Sequence, residues 1–226
     1  MDVRSIFGFS FSPLVRAYRR KRRISSKLAN LIVQTLEKRE ITEAARRLGM
    51  LYQQSIAVEY DSDLAVMFDF AIHCLRKDGK NVIERFAADP PTKLKPEERD
   101  ALERMAAARY RILLVEDVEP GVGLIVRDEL RGDSGFLADR ALSATADPSV
   151  RLASLVIEWD KFRSTTGAAL PLDDRMWKDV KKQLFKRFDK LGSDPLQLTI
   201  EDDAQVAEFC IRKCLKAGAT GAIGYL

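Results

Sequence analysis

Short apolar runs broken by clusters of Pro, Gly, Asp and Ser fill one stretch of the chain, residues 110–172. It reads YRILLVEDV, EPGVG, LIVRDEL, RGDSG and FLADRAL, and continues after a loop as RLASLVIEWDKF and GAALPLD. This rhythm predicts strands joined by hairpin turns. The connections are too short for crossover helices, so neighbouring strands are expected to be antiparallel. The prediction is a curled meander or small barrel of four to five strands, with Trp159 and Phe162 at the end of the fourth.

On either side the period lengthens to that of a helix. Leu28, Leu31, Ile32, Thr35 and Leu36 form one stripe at i, i+3, i+4, i+7 and i+8. Residues 41–60 continue the helical reading, with Gly49 as a break. Asp61-Ser62-Asp63 offers an N-cap for the run that ends at Asp78-Gly79, a short helix follows in NVIERFAAD, and Pro96 opens another. Beyond the strands, Asp173-Asp174 is expected to cap a helix carrying Met176, Val180, Leu184 and Phe188, with Phe185 beside them, and a last helix covers roughly 203–216. The fold class expected is α+β: an N-terminal helical subdomain, a small central antiparallel β meander or barrel, and two C-terminal helices. The divisions expected are a basic arm at 1–24, open to disorder, a helical subdomain at 25–94, and the β part with its flanking helices at 95–226.

The 226 residues suffice for a sizeable core, and 46% hydrophobic with 32% charged residues is ordinary for a soluble globular chain. No apolar run approaches the ~20 residues that cross a bilayer. The apolar start, MDVRSIFGFSFSP, precedes its positive charges, the reverse of a secretory signal. Three cysteines, Cys74, Cys210 and Cys214, make no set of pairs, which points to a reducing compartment and hence to the cytoplasm.

Charge changes the picture more. Residues 1–30 hold eight cations against Asp2 alone, a net +7, while the remaining 30 basic and 33 acidic residues are slightly acidic. Arg16, Arg19, Arg20, Lys21, Arg22, Arg23 and Lys27 are therefore the candidate anion-binding residues, with Tyr18 among them to stack on a base. As an amphipathic helix beside Phe7, Phe9 and Phe11, the same block offers a lesser alternative, an anionic membrane surface. It is also readable as a solvated arm whose charge only aids solubility.

Other motifs carry less. Residues 41–51 resemble the first helix and turn of a helix-turn-helix, but LYQQSIAVEYDSD has no Lys or Arg and ends in acids, so an ordinary helical hairpin is expected. His73 is the single histidine, which excludes triads and multi-histidine metal sites, and it reads as a core side chain. Cys210 and Cys214 offer half of a thiolate site and read more simply as buried apolar groups. The acidic pairs 116–117, 128–129, 173–174 and 202–203 would make an acid/base or metal site only by converging in a cleft; the last two read as helix starts. Gly121-Val122-Gly123 lacks the Lys-Ser/Thr of a phosphate loop. Arg131-Gly132-Asp133 reads as a hairpin turn. No metal site, cofactor or catalytic constellation is legible.

The runs YDSDLAVMFDFAIHCLRKDGKNVIERF, ARYRILLVEDVEPGVGLIVRDELRGDSGFLADRAL and FRSTTGAALPLD resemble a family of uncharacterised bacterial proteins. Some relatives of that kind carry a cysteine-rich zinc knuckle of the SEC-C type near the C-terminus. The clustered cysteines are absent here, so the resemblance implies no zinc site. It implies the domain outline and a bacterial cytoplasmic setting, and no activity. The function expected is a non-catalytic binding or regulatory module that contacts RNA or DNA through the basic arm. The alternatives are a protein-protein interaction adaptor and, behind it, an enzyme with an acidic active site.

Overall fold

The computed structural model describes residues 13–53, 55–192 and 194–222; Phe7, Phe9 and Phe11 lie outside them. The long central strand β5 (Arg109–Glu119) pairs antiparallel with β6 (Gly123–Asp128) and β8 (Arg151–Glu158). Strand β6 also pairs with β7 (Ser134–Leu137). The far edge of β8 is shared: β10 (Leu170–Leu172) takes its first residues and β9 (Arg163–Thr165) its last. Strands β7 and β9 then meet at Leu137 and Arg163, and the order β8-β5-β6-β7-β9 closes on itself. The barrel is mixed, because β7–β9 is parallel. This corrects the all-antiparallel expectation. The 25 residues between the two strands include all of β8 and a helical turn, which is ample chain for a crossover. Strand β9, only three residues long, was not foreseen.

Two local features let the sheet curl. A bulge at Glu116, between Val115 and Asp117, bends β5. At Gly123 an added Cβ would lie 2.3 Å from the Leu137 carbonyl oxygen, so only glycine lets β6 lie this close to β7. Strand alternation then fills the barrel. Leu113, Val115, Leu124, Val126, Leu137, Leu152 and Val156 pack inside as one cluster.

Among the described residues five helices precede the sheet: α1 (Pro13–Val33), α2 (Lys38–Leu48), α3 (Asp61–Cys74), α4 (Val82–Ala88) and α5 (Pro96–Ala106). A single turn, α6 (Leu142–Thr145), lies between β7 and β8, and α7 (Asp174–Leu191) and α8 (Ile200–Lys216) follow the sheet. Helix α1 is continuous across residue 24, where an arm was expected to end. Ile24, Leu28 and Ile32 from α1 share a core with Ile83 of α4, Leu102 and Met105 of α5, and Trp159 and Phe162 beyond β8. Full burial of each large side chain is worth about 1.5–3 kcal/mol, which holds α1 to the body. The outer barrel face, with Tyr110, Ile112 and Leu155, packs against α3, α7 and α8 through Phe70, Trp177, Val180 and Cys210. On α7 the buried stripe is Trp177, Val180, Leu184 and Phe188; Phe185 is exposed.

The helical reading of 41–60 is also corrected. Gly49 adopts φ 76° and ends α2, and β1 (Leu51–Tyr52) pairs with β2 (Ser55–Ile56) in a small hairpin. No second helix of a helix-turn-helix follows. A second hairpin, β3 (Arg76–Lys77) with β4 (Lys80–Asn81), turns at Asp78 and Gly79, both at positive φ. That pair reads as a helix stop in the sequence and is a two-residue hairpin turn in the fold.

Candidate functional site

Helix α1 sorts the seven basic candidates into two groups. Arg20 pairs with Glu97, Lys21 Nζ donates to Asp100 at 2.6 Å, and Lys27 Nζ donates to Glu98 at 2.9 Å. Pro96 at the first turn of α5 brings these acids to its N-terminal end, where they also suit the helix dipole. The Lys95 backbone N–H and then Lys27 hold the Glu98 carboxyl below its ordinary range, and Lys21 and Arg104 do the same for Asp100. These three cations therefore hold α1 to α5. Arg22 is also engaged, donating from Nη1 to the carbonyls of Thr165 at 3.1 Å and Thr166 at 2.6 Å at the end of β9.

Arg16, Arg19 and Arg23 stand at i, i+3 and i+7 and pair with no acid among the described residues. Arg19, Arg22 and Arg23 lean away from α5 and line a groove of about 710 Å³ between α1 and the barrel. Its other wall is Leu142, Ala146, Val150 and Ala169, with Arg140 and Asp147 also on the lining. Tyr18 closes one end, its ring edge-on to Phe162 with centroids 6.3 Å apart. Burial, and then the Asp139 carboxylate, raise the pKa of its hydroxyl, so it stays protonated. The Asp139 carboxylate is already used, accepting from the Leu142 N–H at 3.0 Å and the Thr165 hydroxyl at 3.2 Å. The groove is thus a concave surface with guanidinium groups on one wall and apolar side chains on the other.

The acidic pairs do not form a cleft. Glu116 accepts from Arg127, Asp117 from the Val118 N–H, and Asp173 from the Met176 N–H. Asp202 belongs to the cap at Thr199. Asp128 and Asp203, which sequence reasoning left as strand-end and helix-start acids, lie in a buried ionic layer at one end of the barrel. Alternation places Arg111 and Asp128 on the interior face with Leu113 and Val126. Fully buried Asp128 accepts from Arg111 at 2.9 Å and Arg131 at 3.2 Å, and from the Leu130 and Arg131 N–H groups. Asp203 of α8 pairs with Arg109 and Arg131, tying that helix to the barrel. Asp133, from the Arg-Gly-Asp turn, accepts from Arg111 and Arg163. Burial alone would raise the Asp133 carboxyl, but the two guanidinium groups outweigh it and hold it below the ordinary range.

His73 is buried, with its basicity lowered by burial, and the three cysteines are buried in the outer core. Burial pushes the Cys214 thiol up to about 12 and those of Cys74 and Cys210 well up, so none is a thiolate at neutral pH. Among the described residues no group of three or more His, Cys, Asp or Glu side chains is placed to hold a metal ion. No helix of the described residues is long and apolar enough to cross a membrane.

A second basic surface, outside the candidate anion-binding residues, lies on α7. Lys178, Lys182, Lys186 and Lys190 repeat every fourth residue on the exposed side of α7, near the exposed Phe185, and pair with no acid among the described residues. The acids scattered between them hid the surface in a net-charge count.

Residues 13–199 match the family of unknown function DUF7986, so the chain belongs to that family. No curated protein matches the chain, and no solved structure does.

Proposed function

We propose that this chain is a non-catalytic binding module that holds a nucleic-acid strand, RNA or DNA, in the groove between α1 and the barrel. One observation carries the reading. Three arginines of α1 are left without acidic partners among the described residues, and two of them converge with Arg22 and Arg140 on a single concave surface. Phosphate oxygens are the natural acceptors for such a set, since guanidinium groups bind them bidentately. The proposed phosphate contacts are Arg16, Arg19, Arg22 and Arg23, of which Arg22 is also held at the groove wall by the Thr165 and Thr166 carbonyls. Arg20, Lys21 and Lys27 act as fasteners of α1. A non-catalytic role is supported by the acids being spent on caps and arginines. A membrane-lying α1 is less favoured, because its apolar stripe is buried in the core.

The test is a fluorescence-anisotropy titration with labelled RNA and DNA. Wild type is compared with the triple variant Arg16→Glu, Arg19→Glu, Arg23→Glu, and with a control reversing Lys178, Lys182 and Lys186 on α7. The expected result is binding by wild type and the control and its loss in the triple variant. Loss in the α7 variant alone would move the site to that helix and end the groove reading.

A protein-interaction adaptor is the second reading, favoured by the exposure of Tyr52, Val58 and Tyr60 around the β1–β2 hairpin. Val58 lines a separate groove of about 450 Å³ with Leu48, Met50 and Arg212. Substituting Tyr52 and Val58 by Ser would abolish capture of a protein partner under that reading and leave nucleic-acid binding intact.

A further inference from the structure

We infer that the groove receives an unpaired nucleotide, so that the strand it holds is single rather than duplex; the inference rests on the nucleic-acid reading of the same groove. Its volume of about 710 Å³ lies in the range of sites that enclose a small molecule, and it is lined rather than flat. Its two chemistries fall mostly on different elements, with Arg140 a cation beside the apolar wall. The cations Arg19, Arg22 and Arg23 come from α1, and the apolar residues Leu142, Ala146, Val150 and Ala169 come from α6 and the segments that precede β8 and β10. A nucleotide carries the same division, with an anionic phosphate at one end and a flat, weakly polar base at the other. Exposed Asp147 on the far rim repels phosphate, which orients the phosphate to the α1 wall and the base to the apolar wall.

A duplex offers no group with that division. Its bases are stacked inside, and it presents only phosphates and groove edges, so a recess with an apolar wall gains nothing from it. A splayed nucleotide buries its base face and keeps its phosphate on the guanidinium groups. The length of the cationic track agrees. Arg16 to Arg23 spans roughly 10 Å at 1.5 Å rise per residue. That distance covers about three phosphates of one strand.

The test uses the full chain, a short labelled single-stranded oligonucleotide, the same sequence annealed as a duplex, and adenosine 5′-monophosphate as competitor. Thr145→Trp and Ala146→Trp each narrow the recess without removing a cation. Thr145 is exposed, so the first variant keeps the fold even where the second does not, and circular dichroism checks both. The single strand is expected to bind about tenfold tighter than the duplex, and each filling variant to lose roughly that factor for the single strand only. The mononucleotide is expected to compete. Equal or tighter duplex binding, or filling variants without effect, would overturn the inference while leaving phosphate contacts by α1 standing. No binding of either nucleic acid would overturn the groove reading beneath it. Binding to phosphatidylserine vesicles that Arg19→Glu removes would reassign the arginines to lipid headgroups.

Discussion

Replacing Asp128 by Ala removes the acceptor at the centre of the barrel's ionic end. The wild-type carboxylate is fully buried, with Oδ2 on Arg111 and Arg131 and Oδ1 on the Leu130 and Arg131 backbone N–H groups. Truncation leaves a nearly buried Arg111 without that partner and two turn N–H groups without an acceptor. Breaking a buried pair on one side costs about 3–5 kcal/mol. For a chain of this size that is a fall in Tm of roughly 6–20 °C. Arg111 retains Asp133 and Glu158, both part-exposed, which places the expected value at the lower end of that range. Asp128→Asn keeps a carbonyl oxygen for the two backbone N–H groups and loses the charge, so about half the loss is expected, given ~1 kcal/mol per retained hydrogen bond. The assay is urea unfolding followed by far-ultraviolet circular dichroism and by Trp159 and Trp177 fluorescence, with the m-value checked for constancy. A loss below about 1 kcal/mol for the Ala variant, typical of a surface change, would refute the claim that this acid organises the barrel end.

Gly123→Ala must displace β7, because its Cβ would meet the Leu137 carbonyl oxygen at 2.3 Å; a loss of about 1–3 kcal/mol is expected. Gly121→Ala meets no atom within 4 Å and pays only for its φ of 76°, so it should cost less, and the reverse order in unfolding experiments would contradict the barrel packing. The three thiols should be inert to a disulfide reagent at pH 8 in the native protein and react fully after denaturation; rapid reaction of the native protein would contradict their burial. The carboxyls of Glu98 and Asp100 have pKa values below the ordinary range, so their contribution to holding α1 on α5 is present above the ordinary carboxylate range and is lost as pH falls through their folded values. Hydrogen exchange at pH 3 should therefore deprotect α1 before β5, and equal protection of both would count against the salt-bridge fastening.

Much of the fold was legible in the sequence because it is written locally. The runs around β5, β6, β7 and β8 and the cap at Asp173 are short-range signals, and the structure places elements there. What was not legible depends on chain closure. Strand β9 reads Arg-Ser-Thr and has no apolar rhythm, yet its pairing with β7 converts a meander into a barrel. The ionic layer joins Arg111, Asp128, Asp133 and Arg163, which no spacing rule relates. The basic block was visible, but its division was not, because the acids that neutralise Arg20, Lys21 and Lys27 lie 71 to 79 residues away on α5. The groove was invisible for the same reason: α1 supplies its cations and residues 142–169 its apolar wall.

The most direct test of the central claim is the salt dependence of binding to a single-stranded oligonucleotide. Four arginines contributing phosphate contacts, Arg16, Arg19, Arg22 and Arg23, predict a slope of log K against log[salt] of about −3, at roughly −0.7 per contact. Arg19→Glu with Arg23→Glu should reduce its magnitude by about half. A slope near zero, or one unchanged by those substitutions, would contradict a phosphate-binding groove on α1.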